Sequence, residues 1–144
     1  MDIDIKDIII GLQKYNGVKR RFEIKYHNIN KKGIMIIDDY AHHPVEIYAT
    51  IQAAKTGWPQ RRIISIFQPH LFSRTKDFYK EFASSLLETD LNIITPIYPS
   101  REKPIKNVTS QLIIDELTYL GHKNSLYCNS IDLIPNKIIE FINE

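Results

Sequence analysis

From residue 34 onward the hydrophobic positions fall into two alternating periods. Short continuous apolar runs stand at 34–38 ("IMIID"), 62–67 ("RIISIF"), 91–98 ("LNIITPIY") and 125–128 ("SLYC"). Runs of that length without polar alternation predict strands covered on both faces. Between them lie segments with helical spacing. In 73–89, Phe78, Phe82 and Leu86 recur at i, i+4 and i+8, a core-facing stripe. Residues 44–57 carry Pro44 at a first-turn position and Gly57 as a stop. Residues 109–121 run from a Thr109 or Ser110 cap to Gly121, and 135–144 form a last helix with Pro135 near its start.

The first thirty residues differ. "IKDIIIGLQKY" (5–15) reads as a short helix interrupted by Gly11. "RRFEIKYHN" (20–28) alternates Phe22, Ile24 and Tyr26 with charged neighbours, a half-buried strand. "NINKKG" (28–33) reads as a hairpin turn into 34–38. The whole predicts one α/β domain of 144 residues, Rossmann-like and three-layered. Its sheet is mainly parallel, with an antiparallel hairpin strand at the start.

Parallel sheets bind ligands beyond the carboxyl ends of their strands. Three strand-to-helix loops meet that demand: "DDYAHHP" (38–44), "QPHLFSRT" (68–75) and "YPSREKP" (98–104). They supply Asp38, Asp39, His42, His43, His70, Arg74, Arg101, Glu102 and Lys103. The helices that follow aim their N-termini at the same rim, where free N–H groups and the dipole favour anions. Simpler readings stand beside this one. Asp39 has the chemistry of a helix cap, and Arg101, Glu102 and Lys103 of a solvated turn. A metal-dependent hydrolase built on Asp38, Asp39, His42 and His43 lacks any HxxxH or HExxH spacing.

Composition narrows the class. A net charge of +2, with charges dispersed, argues against nucleic-acid or membrane-surface binding. The single cysteine, Cys128, excludes an internal disulfide and fits a reducing cytoplasm. No apolar run approaches the roughly 20 residues of a membrane span. There is no GxxxxGK[ST] phosphate loop, no GxGxxG and no GxSxG elbow. The residues alone therefore stop at an α/β domain with an anion-accepting rim.

Five segments carry a resemblance: "GVKRRFE" (17–23), "DDYAHHPVEI" (38–47), "FQPHLFSRT" (67–75), "EFASSL" (81–86) and "IYPSREKPI" (97–105). In order and spacing they resemble the C-terminal domain of the Mur ligases of bacterial peptidoglycan synthesis. Within these they resemble the UDP-N-acetylmuramate–L-alanine ligase branch. The branch that recycles murein tripeptide shares "GVKRR" and a similar turn, but carries an "EPRS"-like motif where this chain has "FQPHLFSRT". A stand-alone nucleotide- or amino-acid-binding module is the other alternative.

The resemblance implies a bacterial cytoplasmic enzyme of three domains, of which residues 1–144 would be the last. The absent domains would hold UDP-N-acetylmuramate and supply the phosphate loop for ATP and Mg²⁺. It implies ATP-dependent amide formation with L-alanine, and an isolated fragment that is inactive. By position, Arg21 resembles an arginine meeting the nucleotide phosphates, and Asp39 a carboxylate on the ATP ribose. Tyr40, His42, His70 and Arg74 resemble residues lining the L-alanine pocket, with Arg74 pairing the carboxylate. No metal ligand and no certain catalytic residue is implied in this domain. Leu71 and Ser100-Arg101 depart from the pattern, the former standing where relatives often carry a basic residue.

Overall fold

The computed structural model describes residues 3–15, 17–28 and 33–143. The turn expected over 28–33 falls largely outside them. The chain forms two compact units, Met1–Tyr40 and Ala41–Glu144.

In the first unit, helix α1 (Ile5–Gln13) is capped by Asp4, whose side chain accepts the Lys6 amide at 2.9 Å. Gly11 lies inside this helix and does not interrupt it. None of its residues is buried. Strands β1 (Glu23–His27) and β2 (Met35–Asp38) pair antiparallel, with Ile24 opposite Ile37 and Tyr26 opposite Ile36. Lys25 is thus an extra residue on β1, a bulge that adds local twist. The strand at 34–38 was expected to be covered on both faces. Instead β2 pairs with β1 in a separate two-stranded sheet, and Ile36 remains 53% exposed. An apolar run does not say whether the second face of a strand is covered, and a hairpin buries less than a central strand.

The second unit realises the alternating pattern. Helix α2 (Pro44–Gly57) leads to β3 (Ile64–Phe67), α3 (Phe72–Leu86), β4 (Leu91–Ile94), α4 (Gln111–Tyr119) and β5 (Ser125–Tyr127). A 3-10 turn (Ile131–Leu133) then enters α5 (Ile134–Asn143). The parallel sheet has the order β3-β4-β5, and all four residues of β4 are buried. Period-two alternation sends the side chains of β4 to opposite faces. Ile94 joins Ile47, Ile51, Phe67, Phe82, Leu86, Ile113 and Leu117 in a cluster under α2, α3 and α4. Leu91 and Ile93 join Cys128 and Ile134 under α5. The result is helix, sheet, helix. Phe82 lies against Phe67 with ring centroids 5.2 Å apart and is fully buried, worth roughly 1.5–3 kcal/mol of apolar transfer.

Helix α4 ends as its sequence suggests. Gly121 takes φ +89°, its N–H donates to Thr118 O (3.0 Å) and that of His122 to Leu117 O (2.9 Å). This paired closure is the Schellman motif.

Candidate functional site

The loops after β3 and β4 leave the carboxyl ends of adjacent parallel strands, which brings them together. Tyr98 forms an isolated parallel bridge with His70. Its N–H donates to Pro69 O at 2.8 Å, and its carbonyl accepts the Leu71 N–H at 3.0 Å. The His70 and Tyr98 rings stack, with centroids 5.6 Å apart and planes 20° from parallel. The chain then turns sharply into α3 through Leu71, held at φ +72°. A non-glycine residue in that region costs about 1–3 kcal/mol, so surrounding bonds must impose it.

Helix α3 begins without a capping side chain of its own, because Leu71 at the N-cap offers no acceptor. Glu102 supplies one from the loop after β4. Its carboxylate accepts the Ser73 amide at 2.9 Å and also the Ser73 hydroxyl. The Ser73 hydroxyl, then the backbone amides, hold the Glu102 carboxyl below its ordinary value, and positive charge on His70 favours the same ionised form. One turn into α3, half-buried Arg74 points Nη1 toward the His42 carbonyl at 3.4 Å. His42 and Arg74 are thereby neighbours.

The start of α2 shows the same device. Glu46 folds back so that its carboxylate accepts the His42 and His43 amides, at 3.0 and 3.2 Å. His42 Nδ1 lies 3.4 Å from the same carboxylate, an ion pair whenever the ring is protonated. His43 diverges from its neighbour and packs on the Phe78 ring, centroids 5.4 Å apart. Pro44 occupies the first helical turn, as expected. The rim was expected to present free helix N-termini to an anion. Those of α2 and α3 instead already receive glutamate carboxylates.

Arg101 and Lys103 are exposed in the second unit, and the remaining expected residues, Arg21, Asp38, Asp39 and Tyr40, lie in the first. Asp39 was weighed as a cap for the following helix. Its carboxylate accepts the Phe22 amide at 2.8 Å, seventeen residues upstream. Phe22 (φ +48°) and Arg20 (φ +56°) both hold left-handed backbone, so this segment is strongly shaped. Tyr40 donates its N–H to Arg20 O at 2.7 Å. The Arg20 guanidinium lies over the Tyr40 ring at 4.7 Å, and that of Arg21 is 6.0 Å from the same centroid. Arg20 Nε also approaches Asp38 at 3.7 Å. Thus Arg21, Asp39 and Tyr40 belong to one unit, and His42, His70 and Arg74 to the other.

Among the described residues no group of three or more His, Cys, Asp or Glu is placed to hold a metal. A cavity of about 420 Å³ lies elsewhere, lined by Arg62, Thr89, His122 and Lys123 among others, with none of the expected site residues.

Residues 20–142 match the family described as Mur ligase, glutamate ligase domain. The chain belongs to this family. It is 41% identical over 142 residues to the UDP-N-acetylmuramate–L-alanine ligase of Chlorobium phaeovibrioides, covering 97% of this chain and 30% of that protein. The crystal structure of UDP-N-acetylmuramate–alanine ligase from Thermotoga maritima superposes with a TM-score of 0.73 at 31% identity. That match covers 92% of this chain and 26% of the other. A murein peptide ligase from Psychrobacter arcticus, at 24% identity and TM-score 0.65, covers 94% of this chain and 27% of its own and shares the fold. The chain therefore spans about 30% of the length of the curated relative. The Mur ligase match opens at Arg20, leaving α1 outside it.

Two contributors to this Mur ligase rim, Glu46 and Tyr98, were not singled out from sequence, and Glu102 was placed on the rim without its partner Ser73. Glu46 stands three residues after the N-cap His43, a spacing that could have been read as a cap partner. Tyr98 and Glu102 act on residues 27–29 positions earlier, and no local pattern signals such pairings.

Proposed function

We propose that this chain is the C-terminal domain of an ATP-dependent UDP-N-acetylmuramate–L-alanine ligase and contributes the amino-acid and part of the ATP contacts. What carries the reading is the likeness, over 97% of the chain, to a ligase named for L-alanine. The proposed overall reaction transfers the γ-phosphoryl group of ATP to the carboxylate of UDP-N-acetylmuramate. The alanine amine then attacks the acyl phosphate, releasing phosphate and forming the amide. Mg²⁺ would be held mainly by the rest of the enzyme, together with the ATP phosphates and the UDP-sugar.

Within this chain the work is positioning. Arg74 is the proposed partner of the alanine carboxylate, a bidentate task that suits a planar guanidinium. His42, whose carbonyl Arg74 approaches, and His70, in the loop before α3, are proposed to line the same pocket, and Tyr40 to help orient the amino acid. Arg21 is assigned to the nucleotide phosphates and Asp39 to the ribose. Two observations support treating these side chains as built rather than incidental. Arg74 is half-buried against the His42 carbonyl, and Asp39 is fixed by the Phe22 amide.

The test is kinetic, in the complete ligase. A charge-assisted contact is worth about 1.5–3 kcal/mol, so Arg74→Ala should raise the KM for alanine roughly 10- to 150-fold. The KM for ATP should stay nearly constant. Asp39→Ala should reverse that pattern. Equal effects on both substrates would show that the division is wrong.

A further inference from the structure

The third loop of the rim has no role in the reading above, yet its glutamate is doubly engaged at the start of α3. Glu102 reaches back 29 residues to Ser73, accepting both its amide and its hydroxyl. It serves a helix start that cannot serve itself, since Leu71 precedes α3 with an apolar side chain and φ +72°. The first N–H groups of a helix have no intrahelical acceptor. Without Glu102, the Ser73 amide would turn to water and the first turn of α3 would be free to unwind. Arg74 is the next residue.

The same loop also grips the segment before the helix. Tyr98 brackets it with two backbone hydrogen bonds, to Pro69 O and from Leu71 N, and its ring stacks on His70. A turn brings Glu102 back, its N–H donating to Pro99 O at 2.9 Å, with Ser100 at φ +54°. Residues 69–73 are therefore clamped at both ends by residues 98–102. His70 is one ring of the clamp, and Arg74 emerges from its end.

We propose that Glu102 is a positioning residue for the amino-acid side of the site, holding the first turn of α3 through Ser73 so that Arg74 is presented beside His42 and His70. This rests on the assignment of Arg74 to the alanine carboxylate. A residue at 102 without an acceptor oxygen would leave Arg74 chemically intact but less well aimed. The effect should fall on one substrate, because the clamp touches residues 69–73 and none of those assigned to ATP.

The experiment compares Arg74→Ala, Glu102→Ala, Glu102→Gln and Ser73→Ala in the complete ligase, with the KM for alanine and for ATP and a thermal melt of each. Glu102→Ala is expected to raise the KM for alanine about tenfold to a hundredfold, as small misplacements of aligned groups do. The KM for ATP should change less than about twofold, a ratio well under the tenfold that 1.4 kcal/mol represents. Glu102→Gln keeps one acceptor oxygen for the Ser73 amide and should recover most of the loss. Ser73→Ala should fall between them. A role confined to stability predicts a lower melting temperature with both KM values unchanged or raised together, and that result would overturn the proposal. If Arg74→Ala itself leaves the KM for alanine unchanged, the underlying assignment fails, and this inference with it. If Arg74→Ala raises it and Glu102→Ala does not, only the inference about Glu102 fails.

Discussion

Asn92 is a polar side chain in the middle of the central strand, fully buried, and its removal offers a quantitative test of how the second unit is held. Its Cα partners across the sheet are Ser65 on β3 and Ser125 on β5. Oδ1 accepts the Ser65 hydroxyl and lies 2.9 Å from the Thr89 hydroxyl. Nδ2 donates to Leu86 O at 3.3 Å, at the end of α3. The Thr89 hydroxyl also lies 2.9 Å from Leu86 O, and with one proton it can satisfy only one of these acceptors. His122 closes the network. Its Nε2 lies 2.8 Å from Thr89 O and 3.2 Å from Asn92 Nδ2, and its Nδ1 lies 2.9 Å from the Ser125 hydroxyl, the tautomer setting which of these groups donates.

In Asn92→Leu two hydrogen bonds vanish, each worth about 0.5–1.5 kcal/mol net, and the half-buried Ser65 hydroxyl loses its acceptor at a further cost of about 1–3 kcal/mol. The expected loss is roughly 2–6 kcal/mol, which for a chain near 150 residues lowers the melting temperature by about 2–4 °C per kcal/mol. Removing both partners should cost less than the sum. Ser65→Ala with Asn92→Leu eliminates the orphaned hydroxyl, so the double-mutant cycle should return about 1–2 kcal/mol of favourable coupling. Urea unfolding followed by the fluorescence of Trp58, the single tryptophan and a residue of the second unit, measures all four corners. If Asn92→Leu costs under about 0.5 kcal/mol, or the two substitutions are additive, the network is not a cooperative element and the argument fails.

Two further outcomes are expected. At Gly121 a Cβ would meet nothing within 4 Å, so Gly121→Ala carries only the penalty of left-handed backbone, about 1–2 kcal/mol; an unchanged midpoint in urea would contradict the Schellman closure. Glu88 has its carboxyl held below the ordinary value of 4.5 first by the Lys55 hydrogen bond (2.6 Å), then by Gln52. Its contribution to stability is complete above that ordinary value and is lost as pH falls through the lowered one. The melting-temperature gap between the parent chain and Lys55→Met should therefore be constant near neutrality and close on acidification; a gap that widens would refute the assignment.

What the sequence revealed follows from which interactions are local. The parallel strands and helices α2 to α5 were legible because continuous apolar runs and helical spacing report burial of neighbouring positions, as with Phe78, Phe82 and Leu86 on α3. Pro44 and Gly121 were legible because each meets a backbone requirement at its own position. The exposure of Ile36 was not, since an apolar run is silent about what covers the far face. Nor was the electrostatic character of the rim. Helix N-termini look from sequence like vacancies for an anion, and here Glu46 and Glu102 take that place at α2 and α3. This changes how a ligand carboxylate would be received. With those two dipole ends already matched to negative charge, side-chain cations gain weight among the groups that would meet an anion. Selectivity then depends on how rigidly each cation is aimed. In the proposed assignment Arg74 would be aimed by the turn that starts α3, where Leu71 is left-handed and a glutamate 29 residues away accepts the Ser73 amide. A charged residue such as Arg74 can be read along the chain, but the contacts that orient it belong to the folded structure.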